Sequence, residues 1–261
     1  MIVTFLKGHI HLTQLVQAEA LMFGYRGWRK QWGQDRKCGG ALVWQLNDCW
    51  PVTSWSIVDY YLRKKPAYYS IKRVLAPVAI AIRRDHWDWS VAHARVPAAL
   101  QWECWVASKE PEAIDGLVEL RFISINTGKE IKEAVIKSVQ ITPNGTTTVL
   151  NGTIEEGSEE PYVIAARLWI ENSIVSRDCD WPQPFKYLDF KDREVHVQWN
   201  GQDTMQVSAL RPTKGLVFEE RVNVTLGDSA IDVVPGDTQT IRVQGLRPED
   251  PPLQWRYLGM E

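Results

Sequence analysis

Several classes of protein are excluded by what this sequence of 261 residues lacks. No apolar run approaches the roughly 18 residues that suggest a membrane-spanning helix. The formal net charge of −2 provides no basic surface for nucleic acid or for an anionic membrane. The first residues contain neither the basic region nor the long apolar core of a secretory signal. The sequence therefore favours an intracellular location, and secretion stays open if a longer parent carries an N-terminal signal.

Cysteine and histidine are scarce and are not arranged as metal ligands. The four cysteines, at Cys38, Cys49, Cys104 and Cys179, include no Cys-x-x-Cys pair, and their wide scatter argues against a disulfide framework. The five histidines form no metal signature either. The sequence therefore predicts reduced, buried thiols, no metal and no other cofactor.

Tryptophan is in excess, with 13 in the chain, against about three or four expected at this length. We call residues 39–55 the Trp-rich segment, which reads Gly39-Gly40-Ala41-Leu42-Val43-Trp44-Gln45-Leu46-Asn47-Asp48-Cys49-Trp50-Pro51-Val52-Thr53-Ser54-Trp55. Its apolar run between a Gly pair and Asn-Asp predicts a fully buried strand, most often a parallel one. Indole faces cover the apolar face of a pyranose while amides and carboxylates bind its hydroxyls, so the strand end suits a sugar pocket. A core strand that uses Trp as filler explains the composition equally well.

The residues on both sides of this segment favour helices. Positions 11–32 repeat apolar side chains at spacings of three and four, and positions 68–75 form a second candidate that ends before Pro77. Helix, short loop and buried strand make up the repeat of an α/β barrel. Because a (β/α)8 barrel needs about 250 residues, residues 1–76 can supply only its last part. Either the chain is a C-terminal piece of a larger enzyme, which we expect, or the first segment packs in another way.

Beyond Pro77 the pattern changes to short β-rich segments. Turn signals at 126–128, 143–145 and 151–152 separate them, which predicts antiparallel β-sandwiches. The prolines at 182 and 184 mark a second boundary. The predicted fold is thus multidomain, α/β followed by all-β: an incomplete (β/α)8 barrel at 1–76, an immunoglobulin-like β-sandwich at 77–184 and a second, smaller one at 185–261. Four tryptophans in predicted strands are expected in the sandwich cores: Trp102, Trp105, Trp169 and Trp199.

The sequence resembles the β-mannosidases of glycoside hydrolase family 2, most strongly the fungal members. The Trp-rich segment, continued by Ser56-Ile57-Val58-Asp59-Tyr60-Tyr61 and Lys65-Pro66-Ala67-Tyr68-Tyr69, is similar to the late-barrel signature of that family. Other stretches fit the family in the same order along the chain: Gln17-Ala18-Glu19-Ala20, Tyr25-Arg26-Gly27-Trp28-Arg29, Asp180-Trp181-Pro182-Gln183-Pro184-Phe185 and Ile231-Asp232-Val233-Val234-Pro235-Gly236-Asp237. The resemblance implies the C-terminal part of a retaining exo-glycosidase that removes terminal non-reducing β-D-mannose.

The resemblance also implies that the catalytic pair lies elsewhere. In the family that the sequence resembles, the acid/base lies in an Asn-Glu motif and the nucleophile in a Ser-Glu-Phe-Gly-like motif. Neither motif occurs in this sequence. Both glutamates are therefore expected upstream of Met1, and this chain by itself is expected to be inactive. The carboxylates of the first segment have other expected roles: Glu19 in a surface or interhelical contact and Asp35 in a solvated loop.

What remains of a site is its aromatic platform. The resemblance implies that Trp44 forms the floor under the non-reducing sugar. Asn47 and Asp48 are expected to bind hydroxyls or to shape the loop, although an Asx turn or a helix cap suits Asp48 as well. Trp50 is the next candidate, for which core packing is an equal alternative, and Trp55 and Tyr60 follow.

Two other functions stay open. One is a non-catalytic carbohydrate-binding or scaffolding module, for which Trp87 and Trp89 provide a candidate surface patch. The other is a related family 2 activity of the β-glucuronidase or β-galactosidase type. The expected partners are β-mannoside oligosaccharides and the missing N-terminal part of the same enzyme, without nucleic acid or membrane; the oligomeric state is left open.

Overall fold

The computed structural model describes most of the chain, namely residues 2–33, 37–85, 99–155 and 160–260. Within these ranges the protein is mostly β-sheet, with the helices α1 (Ile2–Lys30) and α2 (Pro66–Val74) and a 3-10 turn at Phe185–Tyr187. Neither helix, as far as it is described, combines the length and apolarity needed to cross a membrane.

The chain divides into two compact units. The helix–sandwich unit contains residues 1–28, 40–75 and 191–261. The central sandwich unit contains residues 29–39 and 76–190. The last residues of the chain thus belong to the same unit as most of α1 and the Trp-rich segment, although they are far apart in sequence.

Helix α1 starts earlier than predicted, at Ile2, and ends with Arg29 and Lys30, whose positive charges suit a helix C-terminus. In the helix–sandwich unit its buried face includes Ala18 and Tyr25, which share a cluster with Ile57 of the following loop. Helix α2 begins at Pro66, a residue whose fixed φ suits the first helical position.

The described residues of the central sandwich unit form seven strands in two antiparallel sheets. They are β1 (Val78–Arg84), β2 (Ala99–Ser108), β3 (Ile114–Ser124), β4 (Glu130–Ile141), β5 (Gly145–Glu155), β6 (Tyr162–Ile170) and β7 (Ser173–Asp180). One sheet has the order β1-β2-β5 and the other β4-β3-β6-β7. Side chains from both sheets form one core, in which the Trp102 ring meets Phe122 edge-on with centroids 6.0 Å apart. This half of the chain is therefore a β-sandwich.

One predicted turn is wrong. Asn151-Gly152 does not reverse the chain but lies inside β5, where Gly152 faces Trp102 of β2. A Cβ on Gly152 would come within 2.6 Å of the Trp102 ring. The glycine is thus required by the close approach of an indole and not by a turn.

Seven further strands are described in the helix–sandwich unit. They are β8 (Val195–Trp199), β9 (Thr204–Ala209), β10 (Thr213–Phe218), β11 (Thr225–Leu226), β12 (Ile231–Val233), β13 (Gln239–Gln244) and β14 (Trp255–Arg256). They form the sheets β12-β10-β14 and β11-β13-β9-β8 around a shared core. Tyr69 of α2 belongs to this core, and its hydroxyl donates to Glu220 at 2.7 Å.

We call the sheets formed by β8–β14 the second sandwich. A buried lysine connects α1 to it. The ammonium group of Lys214 in β10 lies 2.6 Å from a Glu19 carboxylate oxygen and 3.0 Å from an Asp232 oxygen. Burial lowers the pKa of Lys214, but the two carboxylates more than offset it and hold that pKa above its usual value. Glu19, expected in a surface or interhelical contact, pairs with the sandwich instead.

None of the four cysteines, which all lie in the described ranges, forms a disulfide. Cys104 and Cys179 are buried, as predicted. The prediction of buried thiols is wrong for Cys49, which is exposed, and for Cys38, which is half-buried. Cys38 directly precedes the Trp-rich segment and Cys49 lies within it, in a part of the chain that forms no strand.

A buried histidine makes the stability of the helix–sandwich unit depend on pH. Burial, and secondarily the positive charge of Arg256, lowers the pKa of His11 from 6.5 to about 4. The unfolded chain therefore binds a proton more readily between these values, and the folded unit loses stability as pH falls through this window. We expect a loss on the order of 2–3 kcal/mol between pH 7 and pH 4 from this residue.

Denaturant unfolding of the chain at several pH values measures this effect. His11→Gln should reduce the pH dependence between 4 and 6.5, whereas the same change at His9, an exposed residue of the same helix, should leave it intact. Identical pH profiles for His11→Gln and the unmodified chain would contradict the assignment.

Candidate functional site

The Trp-rich segment does not form the buried strand that its sequence predicts. No strand forms between residues 37 and 65, all of which are described; the pairing consists of two isolated bridges, Asn47 with Val58 and Val58 with Lys64. Ala41 and Val43 are half-buried against the α1 cluster, but Leu42 is 98% and Trp44 76% exposed. The segment is therefore covered on one face only, and a strand needs neighbouring strands to bond with.

Three backbone hydrogen bonds fold the segment back on itself. The Ile57 and Val58 amides donate to the carbonyls of Gln45 and Leu46 at 3.1 and 2.9 Å, and the Asp48 amide donates to the Val58 carbonyl at 3.1 Å. Residues 45–48 thus run beside residues 57–58. Trp50 and Trp55 lie in the loop between them.

Asp48 is the buried polar centre of this loop. Its two carboxylate oxygens accept hydrogen bonds from the Ser54 and Ser56 hydroxyls, each at 2.6 Å, and the Gln45 amide lies 3.4 Å from one of them. The Lys65 ammonium lies 3.8 Å from the Asp48 carboxylate and donates to the Ser56 hydroxyl at 2.9 Å. The carboxylate therefore holds together both ends of the loop that carries Trp50 and Trp55.

These contacts fix the protonation state of Asp48. The Ser54 and Ser56 hydroxyls, and then the Lys65 charge, lower the pKa of Asp48 below its usual value. A carboxylate that stays ionised and is enclosed by its own loop is unsuited to accept and return protons as a general acid/base, for which a pKa near the working pH is best. Its geometry is that of a structural anion.

The other predicted site residues lie at the surface. Trp44, Asn47 and Trp50 are exposed, Trp50 to 68% of its area. The Asn47 amide donates to the Asp48 carbonyl at 3.2 Å, and the Trp44–Gln45 peptide bond is cis. Trp55 and Tyr60 are exposed as well, and the Trp55 carbonyl accepts from Gln17 of α1 at 2.6 Å.

Helix α2 connects this loop to the second sandwich. Arg73 forms an ion pair with Asp228 and donates to the Ser229 and Ala230 carbonyls at 2.8 and 2.7 Å. Lys65 directly precedes α2, so the sandwich that fixes α2 also fixes the lysine beside Asp48. Sequence reasoning missed Lys65 and Arg73 because their partners follow no local spacing.

The remaining sequence candidates do not add to the site. Asp59 is used in a turn, where it accepts from the Tyr61 and Arg63 amides, both at 2.9 Å. Asp35, Trp87 and Trp89 lie outside the described residues. In the part of the chain that is described, no three His, Cys, Asp or Glu side chains come together as metal ligands.

Comparisons with known proteins place this geometry in context. A family model for the mannosidase Ig/CBM-like domain matches residues 101–187. Over 98% of its length the chain is 54% identical to β-mannosidase B of Emericella nidulans and 55% identical to β-mannosidase B of Aspergillus niger. It spans 31% of the length of each of these curated relatives.

A solved structure shares the fold. The crystal structure of a β-D-mannosidase from Dictyoglomus thermophilum matches 97% of this chain and 30% of that protein, with a TM-score of 0.75 and 22% sequence identity. At this identity the likeness concerns the fold alone.

The role of Asp48 can be tested by amide hydrogen exchange. Asp48→Asn keeps the shape of the side chain, but it replaces one of the two acceptor oxygens, which face the Ser54 and Ser56 hydroxyls, by an NH2 donor and removes the charge that faces Lys65. We expect exchange at the Ile57 and Val58 amides to accelerate about tenfold or more, because the loop opens locally.

The matched control is Asp250→Asn, which alters another carboxylate turn of the same unit, where Asp250 accepts from the Arg247 amide at 2.9 Å. It should leave the Ile57 and Val58 amides unchanged. Unaltered exchange in Asp48→Asn would show that the loop does not depend on this carboxylate.

Proposed function

We propose that this chain, which belongs to the β-mannosidase family as a portion of a longer protein, forms one wall of the pocket that holds a terminal non-reducing β-D-mannose residue. The observation that carries the proposal is the 54% identity to a β-mannosidase over 98% of the chain. The complete protein would be a retaining exo-glycosidase of glycoside hydrolase family 2.

Exposed apolar side chains of the helix–sandwich unit support a role within a larger barrel. Leu42, Trp44 and Leu46 are exposed in the Trp-rich segment, and Val16 and Phe23 are exposed on α1. Exposed large apolar side chains favour a contact with another element when they form a patch. We assign residues 1–76 to the last part of a (β/α)8 barrel, whose strands, supplied by the rest of the protein, cover these side chains. Residues 77–184 and 185–261 are then two immunoglobulin-like domains.

In this proposal the site residues have distinct roles. Trp44 provides the flat surface under the sugar, since its indole is exposed and carries no charge of its own. Trp50 is a second aromatic wall, and Asn47 provides an amide for a hydroxyl group. Asp48 shapes the loop from beneath, because both of its oxygens are already bonded within the segment.

The catalytic pair is then supplied by the rest of the protein. Retaining glycosidases need two carboxyl groups about 5–5.5 Å apart, one as nucleophile and one as acid/base. Asp48 is enclosed by Ser54, Ser56 and Lys65 and so fills neither role. The chain contributes sugar binding and the two sandwiches, while the reacting groups come from the remainder.

A chimeric enzyme tests the proposal directly. The matching 31% of Emericella nidulans β-mannosidase B is replaced by this chain, and hydrolysis of an aryl β-mannoside is measured. We expect the chimera to be active and the 261-residue chain by itself to show no turnover. An inactive but folded chimera, or turnover by the chain by itself, would each contradict the proposal.

The role of Trp44 is tested in the same chimera. Trp44→Ala should reduce kcat/KM by about 10- to 100-fold, because a stacking surface worth some 1.5–3 kcal/mol is lost. Tyr187→Ala removes an exposed aromatic from the linker between the sandwiches and should leave kcat/KM unchanged. Equal kinetics for both variants would remove Trp44 from the site.

A further inference from the structure

A tryptophan of the central sandwich unit faces outward, where the sequence predicted a core residue. In β6 the side chain of Leu168 is fully buried, so the next residue, Trp169, lies on the opposite face of the sheet. Trp169 is paired with Leu117 of β3, which is 37% exposed, and Leu117 is paired on its other side with Ser138 of β4. An indole, a leucine and a hydroxyl thus form a row across the outer face.

A cleft of about 380 Å³ lies beside this indole. It is created where β6 ends at Ile170, while β3 continues beside β4 as far as Ile114. On this extension Asp115 is paired with Gln140, and Glu171 follows the end of β6. One aromatic surface therefore adjoins two carboxylates, an amide and a hydroxyl, all of which line the cleft.

The indole is held in place by a paired arginine. The Arg167 guanidinium lies 5.8 Å from the centre of the Trp169 ring and 2.5 Å from a carboxylate oxygen of Glu119 on β3. Because Glu119 compensates this positive charge, the charges that line the cleft itself are those of Asp115 and Glu171. Anionic ligands such as phosphates and uronic acids are therefore disfavoured.

We propose that this cleft is a second carbohydrate site, which binds a neutral pyranose against Trp169 with its hydroxyls bonded to Asp115, Gln140 and Ser138. The volume suits one or two sugar rings, since small-molecule sites begin at about 300 Å³. Carboxylates and amides accept and donate to vicinal hydroxyls, while the indole covers the C–H face of the ring. The ligand class that combines these features without a charge is a neutral oligosaccharide.

This site does not depend on the proposed function. Trp169 belongs to the central sandwich unit and Trp44 to the helix–sandwich unit, and binding in the cleft requires neither catalysis nor the rest of the barrel. Loss of hydrolysis in the chimera and loss of binding at Trp169 are therefore separate results.

The test is an NMR or calorimetric titration of the 261-residue chain with β-1,4-mannotetraose. We expect millimolar binding that Trp169→Ala weakens at least about tenfold and that Trp169→Phe partly restores. Tyr187→Ala, at an exposed aromatic outside the cleft, should leave the binding unchanged. Gln140→Ala, an exposed substitution on a strand surface, should weaken binding without altering the fold. An oligogalacturonate of the same length should bind much more weakly.

Three outcomes would overturn the proposal. The first is no detectable binding of mannotetraose to the folded chain. The second is binding that disappears in Trp44→Ala but persists in Trp169→Ala and Gln140→Ala, which would place the ligand on the Trp-rich segment. The third is equal binding of the neutral and the anionic oligosaccharide, since Asp115 and Glu171 should repel the anionic one.

Discussion

The arrangement of the Trp-rich segment depends on one buried carboxylate. Residues 39–65 contain no strand to fix their backbone, so their shape rests on few contacts, of which those at Asp48 are the most central. A buried anion without partners would be costly, and here two hydroxyls and an ammonium group surround it. The same contacts that satisfy the charge join the two ends of the aromatic loop. The contacts that compensate the charge of Asp48 therefore also fix the loop that carries Trp50 and Trp55.

The second sandwich helps to hold the lysine that faces Asp48. Lys65 faces Asp48 and directly precedes α2, and α2 is held by Arg73 and by Tyr69 in the sandwich core. Lys214 makes the corresponding connection to α1 through Glu19. The second sandwich thus holds both helices that flank the Trp-rich segment. It therefore positions a segment that it does not itself contain.

Strands in which apolar and polar residues alternate could be predicted from the sequence. Elements whose structure depends on partners distant in sequence could not. Strand β8, Val195–Trp199, lies in the β-rich region predicted beyond Pro77, because an alternating pattern is visible without knowledge of the partner strands. The Trp-rich segment was misassigned because an apolar run does not say whether neighbouring strands are present. Trp169 was assigned to the core because Leu168-Trp169-Ile170 is apolar at consecutive positions, so the sequence does not indicate which side chains face inward. Arg73 and Asp228 are 155 positions apart, so no spacing rule connects them.

The one-sided cover of residues 41–46 affects how this polypeptide behaves in concentrated solution. These six residues carry no charge and no proline, and three of their side chains are exposed: Leu42, Trp44 and Leu46. Short uncharged segments of this kind pair readily with identical copies of themselves and nucleate cross-β aggregates. The exposed side chains of residues 41–46 are thus an aggregation hazard as long as nothing covers them. A surface that covered them would also protect the colloidal stability of the protein.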